Sequence, residues 1–177
     1  MLARPDPPLA DGVVLLRPWV ESDIDQLVDA CGDQATHRYI ALPDPYTRAD
    51  AEAYVARTRR EWHDGARAAF AIVDADDPER VLGAINVAVF GGVGNSAYWV
   101  APWARRTGVA TRALRLLTGW AEGPLGLGVV LLEIREENAA SRAVATAAGY
   151  HESGRIEATT ATGKKGGLIY TRLASDR

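Results

Sequence analysis

The stretch of this sequence with the most chemical potential runs from Ala97 to Thr111: Ala-Tyr-Trp-Val-Ala-Pro-Trp-Ala-Arg-Arg-Thr-Gly-Val-Ala-Thr. An extended run ends near Val100, a short basic turn follows, and helical periodicity begins at Val109. Arg105, Gly108 and Ala110 therefore read R-x-x-G-x-A across a helix start. The chemistry on offer is anion binding. The first N–H groups of a helix have no intrahelical acceptor, and the aligned peptide dipoles put partial positive charge there. Gly108 and Ala110 leave the backbone open to close approach, and Arg105 and Arg106 add donors shaped for phosphate. A pyrophosphate needs little more. The same residues also suit a basic loop that binds nothing, with Gly108 used only for its backbone freedom.

A second element lies thirty residues on. Asn138-Ala-Ala-Ser141 stands between an apolar run and a helical pattern, and Gly149-Tyr150 follows eight residues after Ser141. Asn138 is a good N-cap and Ser141 an ordinary first-turn residue, a structural reading that coexists with a functional one. Other motifs dissolve on inspection. Gly92-Val-Gly94-Asn-Ser-Ala97 matches G-x-G-x-x-A, but a strand follows it where a dinucleotide site needs a helix, so it reads as a hairpin turn. Gly163-Lys164-Lys165 lacks the first glycine of a phosphate loop (Ala158 stands there) and its Ser/Thr, and reads as a solvated hairpin tip. His37, His63 and His151 are scattered without metal-ligand spacing, so no metal is expected.

The elements that must carry these residues follow from periodicity. Val13–Leu16 reads as a strand. Ile24, Leu27, Val28 and Cys31 share a helix face, with Ser22 as N-cap, Asp25 in the first turn and Gly32 as the stop. Residues 33–46 form a loop with room for one helical turn. Thr47 caps a second helix whose face is Ala51, Tyr54, Val55, Thr58 and Trp62, ended by Gly65. Runs 68–73, 81–90 and 96–100 make an antiparallel meander, with turns at 74–79 and 91–95. Val109, Ala113, Leu114, Leu117 and Ala121 form a helical stripe, broken by Gly123-Pro124. Val129–Ile134 reads as a central strand buried on both faces. The helix from Asn138 turns Ala143, Val144, Ala147 and Ala148 inward, and strands at about 150–161 and 167–173 close the chain. The order is β-α-α-β-β-β-α-β-α-β-β: an α/β (α+β) fold, a mixed, mostly antiparallel seven-stranded sheet with helices on both faces. The helix after Val100 is a crossover, so runs 96–100 and 129–134 are expected to be parallel neighbours.

The 177 residues suit one domain, with 1–11 as a flexible lead-in and 12–177 as the folded unit. Hydrophobic residues make up 47% and charged residues 24%, which excludes a disordered or collagen-like chain. No run approaches the length of a membrane helix, and the proline-rich N-terminus lacks the apolar core of a signal peptide. One cysteine, Cys31, permits no internal disulfide, and a reducing cytoplasmic setting fits. A net charge of −3 offers no broad footprint for nucleic acid.

Together the two elements resemble the GNAT N-acetyltransferase family, in which R/Q-x-x-G-x-G/A grips the pyrophosphate of acetyl-CoA and N-x-x-S…G-F/Y follows the next strand. The resemblance spans nearly the whole chain. Leu16-Arg17-Pro18-Trp19…Ser22-Asp23, Leu42-Pro43…Pro45-Tyr46-Thr47 and Tyr98-Trp99-Val100…Pro102 resemble the RimJ/RimL-like branch, which acetylates ribosomal-protein N-termini. The resemblance implies transfer of the acetyl group of acetyl-CoA to a primary amine, either a protein N-terminus or a small molecule. It implies a slot where the strands ending at Val100 and Ile134 splay apart. It also implies roles. The backbone of Trp99, Val100 and Ala101 pairs with pantetheine. Arg105, Arg106, Thr107, Gly108, Val109, Ala110 and Thr111 hold the phosphates. Asn138 hydrogen-bonds pantetheine, and Ser141 lies near the sulfur.

The sequence departs from the family in two places. Many members carry a tyrosine general acid seven residues after the asparagine, where this chain has Ala145, which leaves Ser141 as the candidate. An acidic residue just past the fourth strand is replaced by Ala101-Pro102. Glu133 is either a base acting through water or an ion-paired structural carboxylate. An α-amine, ordinarily titrating near pH 8, needs less help to shed its proton than a lysine amine near 10.4, which tilts the expected acceptor towards α-amines. These departures keep two other readings open: a catalytically weak acyl-CoA-binding or sensing module, and a plain α/β domain that uses neither motif. A homodimer through the edge of the last strands is compatible with the sequence.

Overall fold

A computed structural model describes residues 2–157 and 166–174. Its strands are β1 (Leu9–Ala10), β2 (Val14–Arg17), β3 (Arg67–Asp74), β4 (Val81–Phe90), β5 (Val93–Val100), β6 (Val129–Ile134), β7 (His151–Ile156) and β8 (Gly167–Leu173). Its helices are α1 (Ile24–Cys31), α2 (Gln34–His37), α3 (Arg48–Asp64), α4 (Val109–Glu122) and α5 (Ala139–Ala147), with short 3-10 turns at Glu21–Asp23 and Pro102–Ala104. The strands form one sheet in the order β1-β2-β3-β4-β5-β6-β8-β7. Every neighbouring pair is antiparallel except β5 and β6, the pair that the α4 crossover joins.

The sheet has eight strands where the sequence pattern predicts seven. The addition is β1, which lies inside the expected lead-in and pairs Leu9 with Leu16 and Ala10 with Leu15. Two residues carry no readable alternation, and only the pairing makes them a strand. β5 also begins at Val93, so the hairpin turn narrows to Gly91 and Gly92, both at positive φ. The Gly163-Lys164-Lys165 tip and the end of the 150–161 strand lie outside the described residues.

Apolar clusters fill both faces. One gathers around α4, whose Val109, Ala113, Leu114, Leu117 and Ala121 are all buried as the stripe predicts. Leu114 and Leu117 are fully enclosed, each worth about 2 kcal/mol of transfer free energy. The other packs α1 and α3 on the sheet through Leu27, Cys31, Val55 and Ala71. α3 is closed by a capping box between Thr47 and Asp50 and by Gly65 at φ 79°.

Three local expectations change. Ser22 lies within a 3-10 turn and caps nothing; Asp23 stands at the start of α1 without a side-chain bond to that helix, and instead accepts from the Val20 N–H at 2.9 Å and from Arg17 through both carboxylate oxygens (2.7 and 2.8 Å). Arg17 also donates to Pro78 O at 2.8 Å, so the Leu-Arg-Pro-Trp…Ser-Asp segment ties β2 to α1 and to the β3–β4 turn. On α5, Ala145 and Ala148 are buried and Val144 is half-buried, whereas Ala143 and Ala147 face outwards. Alanines at neighbouring positions leave the inward face of a helix undetermined by pattern. β6 is central but not buried on both sides: Val130, Leu132 and Ile134 are enclosed, while Leu131 is half-buried and Glu133 exposed.

Candidate active site at the parting of two strands

β5 and β6 pair only from Val93–Val129 to Ser96–Leu132. Beyond that point β5 continues against β4 to Val100, while Glu133 and Ile134 pair only with β8. β5 follows β4 closely because Gly83 faces Val100. A Cβ there would stand 2.3 Å from Trp99 O, so any side chain would push the two strands apart. The parting leaves a cavity on either side. One of about 460 Å³ is fronted by α4 and α5, and one of about 430 Å³ opens between α3, β4 and β6. Tyr39, Ile40, Tyr98, Trp99, Asn138 and Ser141 line both, so the cavities meet at these residues.

The loop before α4 has the form its sequence predicts. Gly108 is the N-cap at φ 82°, and Arg106 also has positive φ, 64°. A glycine cap has no side chain to accept from the first amides of α4, so no side-chain bond closes this helix end, and it faces the larger cavity. A Cβ on Gly108 would meet nothing within 4 Å, so the space before the helix is open. These are the requirements for a bound pyrophosphate, and the R-x-x-G-x-A residues fit one.

Most of the predicted site residues come together. Trp99, Val100, Arg105, Arg106, Gly108, Val109, Ala110 and Thr111 line the larger cavity, and Asn138 and Ser141 line both. Glu133 lines only the second cavity and accepts from Asn95 Nδ2 at 3.3 Å. Two residues stand apart. Ala101 is fully buried, its N–H donates to Leu82 O and its carbonyl accepts from Ala104 N, both at 2.9 Å, so its N–H is committed within the fold. Thr107 lines neither cavity; its hydroxyl donates to Ala104 O at 2.6 Å and shapes the loop.

The side chains are held from several elements. Asn138 Oδ1 accepts from the Ser141 N–H at 3.1 Å, capping α5 and fixing Ser141 in its first turn. Arg105 reaches across to α2, donating to Asp33 Oδ2 at 2.6 Å and Thr36 Oγ1 at 2.9 Å. The Arg105 bond leads the effects that hold the Asp33 carboxyl below its ordinary value, against a smaller opposing effect of burial. Among the described residues no group of three or more His, Cys, Asp or Glu side chains is placed to hold a metal, and no helix is long and apolar enough to cross a membrane.

Two features escape the sequence reading. The Tyr98 hydroxyl lies 2.8 Å from Ser141 Oγ and 3.2 Å from Ser141 O. Burial pushes the Tyr98 phenol up to about 12, so it stays protonated across the physiological range. Ser96, at the point where the strands part, is 3% exposed, and its Oγ has no hydrogen-bond partner among the described residues. Strand alternation turns Tyr98 towards the α4 side, but nothing in the pattern pairs it with a serine 43 residues away.

A family model for the acetyltransferase (GNAT) domain matches residues 14–151. No curated protein matches the sequence. Among solved structures, the chain is similar to RimJ of Mycobacterium smegmatis in complex with CoA-disulfide, at 20% identity over 93% of this chain and 84% of that one, TM-score 0.81. It is similar to RimL, a ribosomal L7/L12 α-N-protein acetyltransferase in complex with coenzyme A, at 15% identity over 96% and 98%, TM-score 0.82. It is also similar to the microcin C7 self-immunity acetyltransferase MccE in complex with acetyl-CoA and AMP, at 14% identity over 92% and 93%, TM-score 0.81. With its split sheet, its open helix end and a family match over most of its length, the chain belongs to the GNAT family of acetyl-CoA-dependent acetyltransferases.

Proposed function

We propose that this protein transfers the acetyl group of acetyl-CoA directly to a primary amine, preferably the α-amine of a peptide, within the RimJ/RimL-like branch. The observation that carries this reading is the parting of β5 from β6 after Ser96, with a cavity on each side and shared walls at Tyr98, Asn138 and Ser141. The thioester supplies an activated acyl carbon, and the residues of this chain do the rest. The amides at the start of α4, with Arg106, hold the phosphates. The backbone edge of Val100, which points away from β4 where β6 has parted, meets the pantetheine amides, and Asn138 adds a side-chain contact. The acceptor enters from the second cavity.

In the reaction the nitrogen–carbon bond forms, the carbon–sulfur bond breaks, and the nitrogen loses one proton. Glu133, on the acceptor side, receives that proton through water. Ser141 donates to the departing sulfur and is itself bonded to Tyr98. A phenol near 12 is too weak an acid to give its proton outright to a thiolate whose conjugate thiol lies near 8.5, so the pair acts as a hydrogen-bond donor. Orientation of the amine against the carbonyl and this electrostatic support supply the rate.

The test has two stages. Calorimetric titration with acetyl-CoA is expected to give one-to-one binding in the micromolar range. Thiol release on adding peptide, polyamine and aminoglycoside acceptors, with mass spectrometry of the products, is then expected to require an amine. A folded sample that binds acetyl-CoA without turning over any amine refutes the proposal and leaves a sensing module.

A further inference from the structure

The second cavity differs in sign from the molecule around it. The chain carries a net charge of −3, yet the charged side chains lining this cavity are three arginines, Arg57, Arg67 and Arg135, against two glutamates, Glu61 and Glu133. They are also sorted. Glu61, on α3, stands between two guanidiniums, with Oε1 3.8 Å from Arg57 Nε and Oε2 3.5 Å from Arg67 Nε. Arg67 extends further through Nη1 to Asn86 Oδ1 at 3.0 Å. One carboxylate between two arginines leaves this end of the cavity positive. Arg135, near the split, is anchored by Nη1 to Arg38 O at 2.8 Å.

The negative group on the β6 side is Glu133, which Asn95 orients at 3.3 Å. Register across the sheet runs from Arg67 on β3 to Ala88, Asn95 and Leu131. β3 and β6 are three strand spacings apart, about 14 Å. The cavity therefore has a positive wall on β3 and α3, two strands from the β5 edge where Tyr98 and Ser141 mark the reaction centre. Long arginine side chains shorten that interval, and two extended residues span about 7 Å of it.

We propose that the acceptor is a peptide α-amine bearing a carboxylate among its first three residues, with the amine at the split beside Ser141 and the carboxylate on Arg67 and Arg57. This rests on the acetyl-transfer reading above and names its acceptor class. A polyamine or aminoglycoside would set its further cations against the same arginines, where the carboxylate at that end, Glu61, already stands between two guanidiniums. The acidic peptide instead gives Arg67 a partner with two oxygens, which suits a guanidinium.

The experiment uses the full chain, acetyl-CoA and C-terminally amidated tripeptides, so that no terminal carboxylate competes, which share an N-terminal alanine and differ at the second position: Asp, its near-isostere Asn, and Lys, with spermidine alongside. The Asp peptide is expected to show kcat/KM about tenfold above the Asn peptide, the size of one charged hydrogen bond, with the Lys peptide and spermidine lower still. In R67Q the Asp advantage is expected to shrink to about twofold through KM, while calorimetric affinity for acetyl-CoA is kept, which also reports a folded protein. In R67E the preference is expected to pass to the Lys peptide. Equal rates for the Asp and Asn peptides, or a preference for spermidine, overturn the proposal and leave acetyl transfer to amines standing. Turnover of no amine at all overturns the acetyl-transfer reading, and this inference with it.

Discussion

Two helices bring their amino ends to the same cavity and finish them in opposite ways. α5 is closed by a side chain: Asn138 Oδ1 takes the Ser141 N–H at 3.1 Å before any ligand arrives. α4 is open: Gly108 occupies the N-cap with no side chain, and the first amides are left for whatever enters the cavity. Leaving a helix end to a glycine costs only a few tenths of a kcal/mol relative to a serine or asparagine cap. An unfinished end is thus an inexpensive way to build an anion site. A finished one is a way to hold a side chain still, and the side chain held at α5 is Ser141.

The largest expected effect comes from filling the open end. Gly108→Glu puts a carboxylate where phosphates are proposed to lie. The space admits it, since a Cβ there meets nothing within 4 Å. The left-handed backbone adds about 1–2 kcal/mol of strain. Affinity for acetyl-CoA is expected to fall at least about a hundredfold by calorimetry, with an unchanged circular dichroism spectrum. Gly108→Ala carries the same strain without the charge and is expected to lose only a few-fold. If the Glu variant keeps its full affinity, α4 is not the phosphate site and the contrast between the two ends has no functional meaning.

The closed end is tested through the residue it holds. Ser141→Ala and Tyr98→Phe each remove one side of the 2.8 Å bond. Each is expected to lower kcat about tenfold, with the KM for acetyl-CoA changing by less than about twofold, because the loss falls on the transition state. The double variant is expected to match the singles, since the two hydroxyls act as one unit. Multiplying losses would separate them and make the Tyr98 contact incidental. With the phenol pushed up to about 12, no limb of the pH–rate profile below about pH 11 is expected to vanish in Tyr98→Phe.

The two ends also differ in how far the sequence makes them legible. R-x-x-G-x-A and N-x-x-S are local devices: a helix start, a cap and a glycine conformation are written within a few residues, and the structure has them where the spacing puts them. Periodicity yields the succession of helices and strands for the same reason. What escapes it depends on partners distant in the chain. β1 is two residues long and exists only because Leu16 and Leu15 pair with it. The inward face of α5 is lost among alanines that look alike to any pattern. β6 reads as an apolar run, yet the sheet parts beside it and opens one side to a cavity. Tyr98 meets Ser141 across 43 positions and Arg105 meets Asp33 across 72. At Ala101 a strand edge looks free in sequence until a neighbouring carbonyl takes its N–H.

The smallest effect concerns what steadies the open end from outside. Asp33 caps the short helix α2, accepting from the Thr36 N–H at 3.0 Å, and also takes Arg105 of the α4 loop at 2.6 Å. One carboxylate therefore joins a closed helix end to an open one. Its pKa in the folded protein lies below the ordinary value, with the Arg105 bond as the leading cause. A carboxyl whose pKa is lowered by folding binds its proton more weakly in the native state. Its contribution is thus complete above the unfolded value, near 4, and is lost as pH falls through the folded value. Both partners are partly exposed, 35% for Arg105 and 28% for Asp33, so solvent screens the pair and the effect is modest. Asp33→Asn is expected to lower Tm by about 2 °C and weaken acetyl-CoA a few-fold, by the same amount at every pH from about 8 to about 5. The gap in Tm between wild type and variant is expected to close only below about pH 4, as the wild-type carboxyl takes up its proton. A gap that closed near neutrality would assign the coupling to another group and leave the α4 loop to stand without α2.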